Sequence, residues 1–73
     1  MSKQNAILEI GGMSCEHCVK TIRGALEDTP GVDVVGVEIG SAAIILDDSL
    51  TDLDAITVAI DETGFEVVRT TIE

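Results

Sequence analysis

Between Ile10 and Ser14 the hydrophobic period of the chain changes from that of a strand to that of a helix, across a pair of glycines. Ala6, Leu8 and Ile10 alternate on one face of a strand over 5–10, with Ile7 and Glu9 on the other. Cys18, Ile22, Ala25 and Leu26 then recur at i, i+4, i+7 and i+8, which is one face of a helix. Gly11 and Gly12 give the connection freedom to turn, and Ser14 is the expected N-cap. The junction puts Cys15 on a loop, Cys18 on the first helical turn, and His17, the one histidine, between them.

The remainder repeats this alternation of periods. Gly24 weakens the first helix and is read as a site of close packing, and Pro30-Gly31 ends that helix. Glu16 with Lys20, and Arg23 with Glu27, stand four apart on its solvated side. Val32, Val35, Val37 and Ile39 read as a β-branched strand, and Ala42, Ile44 and Leu46 as its partner. Gly40-Ser41 fits a two-residue hairpin with glycine at the first central position. Ser49 and Thr51 are the candidate caps of a second helix carrying Leu53, Ile56, Ile60 and Thr63, with Gly64 just past its end. The aspartates before it lack the central glycine and closing glutamate of a calcium loop. A last strand covers 65–72.

The order is strand, helix, strand, strand, helix, strand. Right-handed crossovers fold it into an α+β, ferredoxin-like βαββαβ sandwich, with two helices on one face of a four-stranded antiparallel sheet. The chain, 1–73, is read as one domain, since a core this small leaves no material for a second. With a single aromatic residue, Phe65, that core must be aliphatic. Its expected members are Leu8, Ile10, Ile22, Leu26, Val35, Val37, Ile44, Leu46, Leu53, Ile56, Ile60 and Val67.

Two thiols three residues apart at a helix start converge on one point, where unpaired N–H groups and the positive dipole end favour thiolate. Thiolates select soft ions such as Cu(I), Hg(II) or Zn(II). A structural zinc site wants four protein ligands, more than this pair supplies, whereas Cu(I) is content with two and stays open to a partner's thiolate. The competing reading is a thiol-disulfide oxidoreductase. The chain lacks the tryptophan that flanks such motifs in thioredoxin-like enzymes, and its one proline ends a helix. Met13 is either a third soft ligand or a plug beneath the loop, and its unbranched thioether suits the plug. His17 is read as exposed or as a neighbour of the ligands, because a residue between two ligands on the first turn projects sideways.

Fourteen acidic residues against four basic give a net charge of −10. That argues against nucleic acid and anionic membrane as partners, both of which need a basic patch, and reads first as a solvated surface, with steering toward a basic protein surface or adaptation to high salt as the alternatives. No apolar run is long enough to cross a membrane, and residues 1–5 carry no apolar signal region, which points to the cytoplasm.

Gly12-Met13-Ser14-Cys15-Glu16-His17-Cys18 carries the Gly-Met-x-Cys-x-x-Cys signature, and through it the chain resembles the heavy-metal-associated domain family over essentially its whole length. The form with His17 is similar to the free bacterial copper chaperones of the CopZ type. The resemblance implies a non-enzymatic carrier that holds one Cu(I) between Cys15 and Cys18, with Hg(II) or Zn(II) as alternatives. It also implies a buried Met13 that shapes the loop, and a turn at Gly64-Phe65 beside that loop. Ser14 stands where zinc and cadmium pumps of the family often place aspartate, which favours copper. Phe65 stands where free chaperones usually have tyrosine and pump domains or mercury-binding relatives often have phenylalanine. A chain running from Met1 to just past its last strand favours the free chaperone over an excised pump domain. The implied partners are a copper-transporting P-type ATPase or its metal-binding domain, or a second copy bridged through the metal. Relative to the family, the turn at Gly40 is short.

Overall fold

The computed structural model describes residues 3–14 and 16–73. Its elements are β1 (Lys3–Gly11), α1 (Glu16–Glu27), β2 (Val32–Glu38), β3 (Ser41–Asp47), α2 (Leu53–Asp61) and β4 (Glu66–Ile72). The strands form one antiparallel sheet in the order β2-β3-β1-β4. Ala6, Leu8 and Ile10 of β1 and Ala42, Ile44 and Leu46 of β3 are buried with Ile22 and Leu26 of α1 and Ile56 and Ile60 of α2. Because every buried strand residue lies on one side of the pleat, both helices cover the same face, and the fold is the ferredoxin-like sandwich. Met13, Val32, Val34, Val37, Leu53, Phe65 and Val67 pack, partly buried, around that cluster.

The expected core holds except at Val35, which is 64% exposed. Val34 pairs with Ile44 and Gly36 with Ala43, so Val35 is an extra residue on β2. Such a bulge resets the alternation, and the inward positions become Val32, Val34 and Val37. The β2–β3 turn is also displaced by one residue from its expected place. Glu38 pairs with Ser41, leaving Ile39 and Gly40 as the loop, with glycine second and at φ +84°.

Local capping differs too. Asp52 caps α2, its Oδ1 accepting from Ala55 N–H at 2.8 Å. Ser49, one of the two expected caps, donates its N–H (3.0 Å) and Oγ–H (2.6 Å) to Asp47 Oδ1 instead, a local turn that competes with helix capping. Helix α1 begins at Glu16, and residue 15, between it and the expected cap Ser14, lies outside the described residues. Gly24 is exposed and a Cβ there would meet nothing within 4 Å, so close packing is not its role. Gly64 takes the left-handed conformation expected after α2, φ +96°. Among the described residues the one ion pair is Arg69 Nε to Glu9 Oε2 at 4.0 Å, between directly opposed residues of β4 and β1. The pairs expected along α1 are not formed.

Candidate metal centre

Strand β1 delivers its last turn of chain to the edge of the helical layer, and the loop from Gly11 onward is braced from two sides. Gly12 holds φ +87°. A Cβ built on it would lie 3.5 Å from Phe65 Cδ1, so the ring at the start of β4 closes directly on the loop backbone. Only glycine combines that dihedral with so near a neighbour at no strain. On the other side, Met13 is half-buried against the core, and its Sδ accepts the N–H of Gly40 at 3.3 Å. The thioether therefore serves as plug and hydrogen-bond acceptor, which supports the packing reading of Met13.

Past this braced segment, Ser14 is exposed. Cys15 lies outside the described residues. Cys18 sits on the first turn of α1, half-buried, one helical turn before the fully buried Ile22. His17 is exposed, and its carbonyl accepts from Thr21 Oγ1 at 3.1 Å. The structure thus gathers Gly12, Met13 and Phe65 around the loop, sets Cys18 on the helix that follows, and leaves His17 on the outside.

Gly11, Gly12, Asp61, Gly64, Phe65 and Glu66 line a cleft of about 340 Å³ beside the loop. Its two carboxylates, Asp61 and Glu66, were not singled out by sequence pattern, because they belong to elements distant in sequence from the thiols. Gly40 was read only as a turn residue. Its approach to Met13 follows from β3 lying beside β1, an adjacency that hydrophobic periodicity does not reveal. The Asp47 carboxyl is held below its ordinary range, chiefly by the Ser49 hydroxyl and then by the Ser49 backbone N–H. Asp47 faces Lys3 in the strand ladder, at the end of β1 opposite to the loop. Among the described residues no group of three or more His, Cys, Asp or Glu side chains is placed to hold a metal ion.

Fold and loop together define a class: small βαββαβ domains that present a thiol on the first turn of the first helix, behind a glycine-methionine loop. The model of the Heavy-metal-associated domain matches residues 7–66, and the chain belongs to that family. It is 36% identical over 64 residues to the copper chaperone CopZ of Staphylococcus aureus, covering 85% of this chain and 94% of that protein. It is 34% identical over 65 residues to mouse copper-transporting ATPase 1, covering 86% of this chain but 4% of the ATPase. Oxidised MerP from Ralstonia metallidurans superposes with a TM-score of 0.81 at 27% identity, covering 99% of both chains. The mercury-bound form of MerP does so at 0.74 and 28%, again covering 99% of both.

Proposed function

We propose that this chain is a soft-metal carrier, a single domain over 1–73 that binds one Cu(I) through Cys15 and Cys18 and hands it to a partner such as a copper-transporting P-type ATPase. The observation that carries the reading is Cys18 on the first turn of α1, half-buried behind a loop braced by Phe65 and Met13, within the Gly12-Met13-Ser14-Cys15-Glu16-His17-Cys18 signature. The copper chaperone and copper ATPase relatives support copper as the cargo and an ATPase domain as the recipient. They equally support a chain that is itself a metal-binding segment of such a pump.

Transfer is ligand exchange without redox change. A thiolate of the partner adds to the two-coordinate Cu(I) as one copper–sulfur bond to Cys15 or Cys18 breaks. The second bond follows, and the released thiolates equilibrate with solvent protons. Nothing in the exchange is consumed, so the chain acts as a carrier and not as an enzyme, and the cytoplasm is where thiols stay reduced for this chemistry. His17, exposed on the outer side of the turn, stays outside the ligand set. The likeness to mercury-bound MerP favours Hg(II) as the second reading of the cargo, with Zn(II) behind it.

Anaerobic titration of the reduced protein with Cu(I) against a competing chelator, with Zn(II) and Hg(II) in parallel, tests the proposal. One Cu(I) per chain and a sulfur-only shell by X-ray absorption are expected. Cys18→Ser should lose orders of magnitude in affinity, because a hydroxyl is a hard, neutral donor at pH 7. Unchanged Cu(I) affinity in that variant would overturn the ligand assignment.

A further inference from the structure

Gly40 lies in the hairpin turn between β2 and β3, far along the chain from the thiol loop, yet its N–H is bound by that loop and its carbonyl by the strand that leads into it. Its N–H donates to Met13 Sδ at 3.3 Å, and its carbonyl accepts the N–H of Ile10 at 2.9 Å. Gly40 is therefore tied both to the end of β1 and to the loop that follows it. Met13 cannot move without breaking one of these bonds or carrying the turn with it. The position also demands glycine for its backbone angle. At φ +84° a side chain is strained, although a Cβ there would face only the Ile10 carbonyl at 4.0 Å.

Packing alone does not require this arrangement. A leucine would fill the space under the loop about as well as Met13, since the two are near in volume. What the thioether adds is direction, a weak acceptor aligned on a backbone donor. We infer that Gly40 is a positioning residue for metal exchange: the β2–β3 turn holds Met13, and through it the first half of the thiol loop, so that binding does not have to order that segment. Pre-ordering of this kind raises affinity by removing an entropic cost from the binding step. The inference rests on the carrier reading, but the anchor itself can be measured without metal.

Two variants test it. Chemical synthesis with glycolic acid in place of Gly40 replaces the amide by an ester and deletes the N–H donor alone. Met13→Leu keeps the apolar volume and deletes the acceptor. In the reduced, metal-free parent the Gly40 amide should be protected from hydrogen exchange. Both variants should exchange the Ile10 amide, whose N–H is bound by the Gly40 carbonyl, faster and release Cu(I) to a competing chelator roughly two- to fivefold faster, as expected for losing one modest hydrogen bond. An unprotected Gly40 amide in the parent, or parental Cu(I) release rates in both variants, would overturn the inference. A parent chain that takes up no Cu(I) refutes the carrier reading instead, and the two failures are told apart because amide exchange is read on metal-free protein.

Discussion

Stripping metal from the reduced protein with a chelator should leave its fold standing, and the structure says by how much. The fully buried cluster draws on β1, α1, β3 and α2 and contains neither cysteine nor histidine, while Cys18 is only half-buried at its margin. A chain of this length has a net stability of about 4–11 kcal/mol by the usual per-residue range. A bound ion adds to that by mass action, about 4 kcal/mol at a thousandfold excess over its Kd, without being its source. Ile56→Val supplies an internal scale. Ile56 is 0% exposed on α2, and losing one methylene there should cost about 1 kcal/mol, a fall in Tm of about 4–8 °C. Because Ile56 lies outside the loop, that fall should be the same in metal-free and reloaded protein. Far-UV circular dichroism melts of both proteins in both states measure it. A metal-free chain without a cooperative transition, or one indifferent to Ile56→Val, would make the site a structural clip and refute the argument.

The bulge on β2 is tested by paired substitutions. Val34→Ala should cost about 1 kcal/mol, since Val34 packs on the core, while Val35→Ala should stay within about 0.5 kcal/mol, and denaturant melts that reverse this order would place the extra residue elsewhere. Ser49→Ala should raise the Asp47 pKa back toward its ordinary value of 3.8, read by carbon NMR titration of the carboxyl. Since the folded carboxyl is depressed, its contribution to stability is present above about pH 4 and is lost as pH falls through the lowered value. The variant's destabilisation should therefore vanish in acid, and a deficit persisting there would assign the loss to another cause.

Periodicity carried most of the fold because each element here has one dry face. Ala6-Leu8-Ile10 and Ala42-Ile44-Leu46 are strict alternations, and Ile22-Leu26 and Ile56-Ile60 are strict helical repeats, so their burial could be read directly. The misplaced features share a different origin. Val34 and Val35 are identical in chemistry, and nothing local says which faces inward once a residue is inserted between paired positions. Ser49, Thr51 and Asp52 are all good caps, and the choice among them was decided by Asp47, which engages Ser49 first. At the site, the signature marked Cys18 and the loop, but the brace was legible only in part. Phe65 was expected beside the loop from family resemblance, whereas the bond from Gly40 needed the order of strands.

The irregularity on β4 decides which residue of the loop Phe65 meets. Glu9 pairs with Arg69, and a regular ladder would next set Ile10 against Val68 and Gly11 against Val67. The observed partners are Val67 and Glu66, so Val68 is the extra residue, turned out to 65% exposure. Its Cγ2 would come within 3.0 Å of a Cβ at Gly11, which is why the first glycine of the pair is tolerated there so much better than a larger residue. The bulge takes up one residue of β4, so the start of that strand lies one position, about 3.3 Å, back along β1 from where a regular ladder would carry it. A regular ladder would carry Glu66 to the level of Gly12 and Phe65 on to Met13, whereas with the extra residue the ring falls against Gly12, 3.5 Å from a Cβ built there. The brace on one side of the thiol loop is therefore a product of a register shift in an edge strand. The brace on the other side is a product of a hairpin turn. Phe65 and Gly40 flank strands of the sheet and lie outside the signature, which is how a loop of so short a motif is held by the scaffold around it.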